Sequence, residues 1–270
     1  MTCPGVLLLE NATVPNKKII KNKTLRASCL FAIVLALPLI SRAGVLDQLM
    51  NAADEALVTY GRDAVSVGRE NLPLEVVSDG LREVLLLGSD SVGRRLSTDN
   101  AYSGDSVIRI SLPRAWDEAR EIAARIGYQS EFDKLEQQLN QVAEATAPAT
   151  RDYLHKAIGQ LELANAREIL KAGDTAATEH LRRSVAGEIQ RALRPRIEES
   201  LKISGAAGRS NKISKRISRL PMVRDLGIDL ADHVVELSLD GFFHYLRKEE
   251  QIIRKHPDRY SSDILNKVFG

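Results

Sequence analysis

The sequence predicts an all-α fold: a single multi-helix domain with at most one short extended or β segment near 107–113. Three observations predict it. Aromatic residues make up 4% and charged residues 27% of the 270 positions, a balance that suits amphipathic helices better than strands, which favour β-branched and aromatic side chains. Apolar residues recur mostly at intervals of three and four, the spacing that lines one face of a helix. Alternation with a period of two occurs convincingly once, at Ile108, Ile110 and Leu112.

Residues 1–43 are expected to be a leader, outside that domain. Lys17, Lys18, Lys21, Lys23 and Arg26 precede an apolar run at residues 30–40, and Ser41-Arg42-Ala43 follows it. A basic segment, a short apolar core and a small-x-small exit are the parts of a secretory signal peptide. The run falls short of the roughly 20 residues that a spanning helix needs, and Pro38 suits a cleaved segment better than an anchor. The expected cut follows Ala43 and makes the protein periplasmic. Cys29 stands before the apolar run, which is the wrong side for a lipoprotein. Residues 1–16 hold Glu10, Pro4, Pro15 and their own apolar patch at 6–9. They do not fit such a signal, so the expected start lies downstream, near Val14.

Cleavage changes what the composition excludes. The full chain has 38 basic and 36 acidic residues. Six of the basic ones (Lys17, Lys18, Lys21, Lys23, Arg26, Arg42) and one acid (Glu10) lie in the leader, which leaves 32 against 35 and a net charge of −3. The excess of positive charge in the full chain is therefore no argument for nucleic-acid binding, and none is expected. Cys3 and Cys29 also leave, so the domain at 44–270 has no disulfide, thiolate nucleophile or zinc–thiolate site.

Helices are expected at about 45–58 and at 74–96, the second opened by Leu72-Pro73. Residues 97–106 are polar and rich in turn formers. The segment 107–113 finds no second strand in the sequence, so it is expected to lie extended across helices. A helix from near Pro113 to Ile126-Gly127 puts Trp116, Ala119, Ala123 and Ile126 on one stripe. The next carries Phe132, Leu135, Leu139 and Val142. Pro148 is expected in the first turn of a further helix, with Leu154, Ile158 and Leu161. A short helix ends at Lys171-Ala172, with Gly173 as its cap.

Asp174-Thr175 opens the longest expected helix, which runs to about residue 203, with Asp174 as its N-cap. Leu181, Val185, Ile189, Leu193, Ile197 and Leu201 lie four apart along it. Each step of four overshoots a full turn by roughly 40°, so the stripe travels roughly 200° around the axis. Successive neighbours must wrap it, or Pro195 must kink it. Residues 205–208 form a turn, and a basic helix follows to Leu220-Pro221. Asp229 caps the next helix, apolar on nearly all sides through residue 246 as a central helix is. Beyond 246 it turns charged and is expected to leave the core. His256-Pro257 breaks it, and Ser261-Ser262-Asp263 caps a last short helix.

Three stretches carry a family likeness: Val107-Ile-Arg-Ile-Ser-Leu-Pro113; Ile169-Leu-Lys-Ala-Gly-Asp-Thr-Ala-Ala-Thr178 with Arg182; and the tail, with Leu239-Asp-Gly-Phe-Phe243, Glu249-Glu250, Ile253-Arg254, His256-Pro257 and Leu265-Asn-Lys-Val-Phe-Gly270. On these the chain resembles the bacterial domain of unknown function 4197. The resemblance implies an exported helical domain and assigns no activity. The chain departs from the pattern at His180-Leu181, where an aromatic pair is expected, and in the 209–219 helix, where Lys and Arg replace aromatics.

Two groups of residues are candidate sites. Asp174, Thr175 and Thr178 stand at a helix start, whose free N–H groups and dipole attract anions, and Arg182 and Arg183 follow. Seven basic residues and no acid lie between 201 and 224. Of these Arg209, Lys212, Lys215, Arg216 and Arg219 form a candidate partner surface, with Ile213, Ile217 and Leu220 as a small apolar face for an anionic lipid surface or an acidic partner. Asp152/His155, Asp229/His233 and Asp240/His244 are each one turn apart, but zinc needs a third protein ligand, so no metal and no cofactor is expected. The expected role is non-catalytic binding or scaffolding, of an envelope protein or of an apolar small molecule held between helices. The alternatives are an enzyme with a carboxylate or His site in an inter-helix cleft, and a peripheral lipid-binding protein using 202–224.

Overall fold

A computed structural model of the chain describes residues 72–218 and 229–270. The expected leader, the 45–58 helix, Arg219, Leu220-Pro221 and Arg224 lie outside the described residues. The chain divides into Met1–Asp63 and Ala64–Gly270, and all described residues belong to the second unit.

Among the described residues there are eight α-helices and no strand: α1 (Leu74–Leu96), α2 (Arg114–Ala124), α3 (Gln129–Gly159), α4 (Ala166–Lys171), α5 (Ala176–Ile203), α6 (Ala206–Ile217), α7 (Leu230–Lys255) and α8 (Asp263–Phe269). The four long helices close a ring in which α1 packs on α3, α3 on α5, α5 on α7 and α7 on α1. The short ones fill its flanks: α2 lies on α3, α4 on α1 and α5, α6 on α3 and α5, and α8 on α1. The all-α expectation holds.

Two small residues set close approaches along α1. A Cβ at Gly80 would sit 2.7 Å from Val268 of α8, and one at Gly88 would sit 2.8 Å from Leu246 of α7. All six apolar residues of the travelling α5 stripe are buried. Helices α3, α4, α6 and α7 flank α5, with a smaller contact from α1, and together they cover a stripe that no single neighbour could.

The segment expected to be extended begins in a turn, with the Ile108 and Arg109 N–H groups on the Asp105 carbonyl; residues 109–113 follow without regular structure and without a strand partner. Ile108, Ile110 and Leu112 are buried, while Val107, Arg109 and Ser111 are exposed. An isolated buried backbone would leave its polar groups unsatisfied. Asn140 of α3 supplies the partner: it accepts from the Ile110 N–H at 2.9 Å and donates to the Ile110 carbonyl at 2.9 Å. One side-chain amide thus replaces the neighbouring strand. Tyr102 pins the preceding loop, donating to the Ser238 carbonyl at 2.9 Å while its own N–H bonds to Glu144 at 3.1 Å.

Several expectations are corrected. Pro148 does not start a helix; α3 runs through it and, at 31 residues, is longer than the 28-residue α5. An internal proline costs about 3 kcal/mol. Burying Leu154 and Ile158 beyond it stabilises by roughly 1.5–3 kcal/mol each, which outweighs that cost. Ile126 lies past the end of α2 and is 53% exposed. The turn expected at 205–208 shrinks to Gly205 at φ 78°. The charged end of α7 does not leave the core, because Glu250 and Arg254 are both buried. By contrast, the Asp229 and Ser262 caps form as expected, each accepting from backbone N–H groups of its helix.

Candidate functional site

The start of α5 is where the sequence points first, and it is already occupied. Asp174 does not cap it: the N-cap is Thr175, without a side-chain bond, and Asp174 is exposed. Instead Glu250 reaches across from α7 and accepts the Ala177 N–H at 3.1 Å and the Thr178 N–H at 2.7 Å. Glu250 is fully buried and pairs with Arg254 at 2.7 Å, one turn along α7. Arg254 also donates to the Leu170 carbonyl at 3.3 Å and lies 5.2 Å from the centre of the Phe269 ring. Burial lowers its pKa, against the pull of Glu250 and Asp174. Thr178 is buried and its hydroxyl has no partner, so it faces inward. A helix start attracts anions, and here the anion is the protein's own carboxylate.

This contact joins two of the family-like stretches, the Gly-Asp-Thr-Ala-Ala-Thr block and the Glu-Glu…Ile-Arg part of the tail. Sequence spacing shows Glu250 and Arg254 only as an ordinary i,i+4 surface pair; their partner lies more than 70 residues away.

Arg182, less than two turns further along α5, faces something different. It reaches a cleft of about 270 Å³ between α5, α7 and the 107–113 segment, lined among others by Arg109, Asp240, His244 and Arg247. The guanidiniums arrive from three separate elements. Arg182 pairs with Asp240 across the cleft. Arg247 pairs with Glu179 at 3.1 Å. Arg109 donates to the Ser103 carbonyl at 2.9 Å through Nε. The Arg182 and Asp240 side chains are 37% and 46% exposed, and pairs this open are worth only about 0–1 kcal/mol.

His244 sits among these charges with its Nε2 shielded from solvent and unpartnered. Burial lowers its pKa, and Lys248, Arg247 and Arg95 push the same way against Asp105. Behind it, Tyr245 donates to Asp105, and Arg95 lies 3.9 Å and Lys248 4.9 Å from the Tyr245 ring centre. The Tyr245 bond, then the Val107 N–H, holds the Asp105 carboxyl below its ordinary pKa. Arg95, Arg109, Arg182, Arg247 and Lys248 thus stand against Asp105, Glu179 and Asp240, an excess of two positive charges.

The remaining candidates are placed as follows. Arg183 is exposed on α5. Along α6, Arg209 pairs with Glu131 and donates to Gln138 at 2.8 Å, and Arg216 lies 4.6 Å from the Tyr128 ring centre. Lys212 and Lys215 are exposed, while Ile213 and Ile217 are buried in the core. The Ile213 and Ile217 part of the apolar face that would meet a lipid surface is spent inside the protein. None of the three one-turn His pairs forms. His155 lies 3.3 Å from Asp90 of α1, and His233 bonds the Ser111 carbonyl at 2.8 Å. Asp240 turns to Arg182. Among the described residues no three His, Cys, Asp or Glu side chains are placed to hold a metal. A larger cleft of about 540 Å³ beside His180 and Glu188 presents no comparable convergence, and His180 there lies 3.2 Å from the Glu162 carbonyl.

Residues 71–270 match the profile of the family described as "Protein of unknown function (DUF4197)". No curated protein and no solved structure matches the chain.

Proposed function

We propose that this chain, which belongs to the DUF4197 family of proteins of unknown function, is an exported periplasmic binding protein that takes its ligand in the α5–α7 cleft and performs no chemistry on it. The observation that carries this reading is the convergence of Arg109, Arg182 and Arg247 around the unpartnered Nε2 of His244. Guanidiniums held on rigid helices recognise and orient; they stay protonated and do not shuttle protons. His244 has Lys248, Arg247 and Arg95 for neighbours against one carboxylate, Asp105, which Tyr245 already engages, and the nearby Asp240 is tied to Arg182. A general base oriented by a carboxylate would need the opposite arrangement. Export rests on the basic, apolar and small-residue parts of residues 17–43.

The test is to express the whole chain in a bacterial host and recover it by osmotic shock. N-terminal sequencing should read from Gly44, and the native mass spectrum should exceed the bare chain by one retained ligand. An intact precursor in the cytoplasm would remove the export half. A bare mass in every preparation would remove the binding half.

A further inference from the structure

We propose that the α5–α7 cleft recognises a phosphoryl group, seated among Arg109, Arg182 and Arg247 beside the His244 ring; the inference rests on the binding reading above. The fork of a guanidinium matches the oxygens of carboxylates and phosphates in pairs. Two such forks, with the Arg109 N–H groups left over from its hold on the Ser103 carbonyl, exceed what the two oxygens of a carboxylate can serve, whereas a phosphate monoester carries three terminal oxygens.

The present partners are replaceable. Asp240 and Glu179 hold Arg182 and Arg247 through half-exposed pairs, which an incoming dianion can displace at little cost. The contrast with Glu250 is direct, since that carboxylate is fully buried and fixed. His244 lines the same cleft, and its Nε2 is covered by neighbouring atoms without a hydrogen-bond partner. The surrounding charges, five cations against three carboxylates, favour an anion in a domain that is otherwise mildly acidic.

Size narrows the ligand further. Sites that enclose a whole drug-sized molecule run to roughly 300–1,000 Å³. At about 270 Å³ this cleft takes a phosphoryl group with a few attached atoms and leaves the rest outside, against the exposed Val107 at the rim. Either a soluble phosphate ester or the phosphomonoester headgroup of a lipid has this chemistry.

The experiment follows the His244 ring resonances of the purified protein during titration with inorganic phosphate, and with succinate as a dicarboxylate dianion. A saturable shift with phosphate, weaker with succinate, is expected. Arg182→Ala and Arg247→Ala should each weaken it about tenfold or more, the loss expected for a charge-assisted bond. Arg182→Lys and Arg247→Lys should recover part. Arg114→Ala, at a side chain 93% exposed on α2, should change nothing. Circular dichroism and thermal melting of each variant separate lost binding from lost folding.

Glycerol 3-phosphate binding tighter than inorganic phosphate assigns a soluble ester. Sedimentation with phosphatidic acid vesicles that is lost in Arg247→Ala assigns a lipid headgroup. No saturable shift, succinate binding as tightly as phosphate, or shifts indifferent to both arginines would overturn the assignment. A retained ligand without a phosphoryl group would do the same while leaving the binding function standing.

Discussion

Helix α5 offers two positive features to solvent chemistry, its N-terminal N–H groups and Arg182, and the protein treats them in opposite ways. The first is closed by Glu250, fully buried and backed by Arg254. The second is met by Asp240, a carboxylate 46% exposed, beside an imidazole nitrogen with no partner. A helix start is an anion site only while it is empty. Sequence chemistry alone ranked the two together; burial of the partner separates them into a structural joint and an exchangeable binding place.

The largest expected effect attacks the joint. Glu250→Ala leaves two N–H groups and a buried guanidinium without their acceptor, and breaking a buried pair costs about 3–5 kcal/mol. Urea unfolding should show a loss of that size, and Glu250→Gln should fall between it and wild type. A loss under about 1 kcal/mol would mean that the joint does not hold α5 to α7.

Asp240→Asn breaks the open pair instead. The expected stability change is within about 1 kcal/mol, and phosphate should bind several-fold more tightly because its competitor for Arg182 has lost its charge. Weaker binding would show that Asp240 helps to hold the ligand.

A smaller effect concerns pH. The folded state lowers the pKa of His244 from its ordinary 6.5, so the unfolded chain binds that proton more tightly. Stability from this residue is full above the unfolded value and is lost as pH falls through it, down to the folded value. His244→Gln should flatten this part of the stability profile between neutral and mildly acid pH. Lys248, Arg247 and Arg95 act on the same proton against Asp105, so Lys248→Ala should move the titration back up. An unchanged profile in His244→Gln would assign the pH dependence elsewhere.

The smallest effect is expected on α6. Lys212→Ala with Lys215→Ala should alter stability by no more than about 0.5 kcal/mol, as exposed substitutions do, and should leave the His244 response to phosphate intact. Reduced phosphate binding in this variant would move the anion site away from the cleft.

Periodicity made much of the fold legible. The bounds of α1, the stripe of α5, the apolar circumference of α7 and the Asp229 cap follow from side-chain spacing and local hydrogen bonding. The segment at 107–113 was visible from its alternation, but Asn140 as its partner was not, since nothing local marks an amide 30 residues away. Pro148 misled because local propensity favours a helix start, while the burial that carries α3 through it is tertiary. Arg182 was a candidate from its place beside the Gly-Asp-Thr block. Arg109 and Arg247 joined it only once α5, α7 and the 107–113 segment were brought together. Charged residues read as solvated unless the opposing surface is known, and that is why Glu250 and Arg254 were missed.

Binding in the α5–α7 cleft is the function proposed for this family member. Native mass spectra of wild type and of the Arg182→Ala, Arg247→Ala double variant, purified side by side, test it most directly. A retained mass is expected on wild type and is expected to be absent from the folded double variant. The same adduct on both proteins, or none on either, would contradict it.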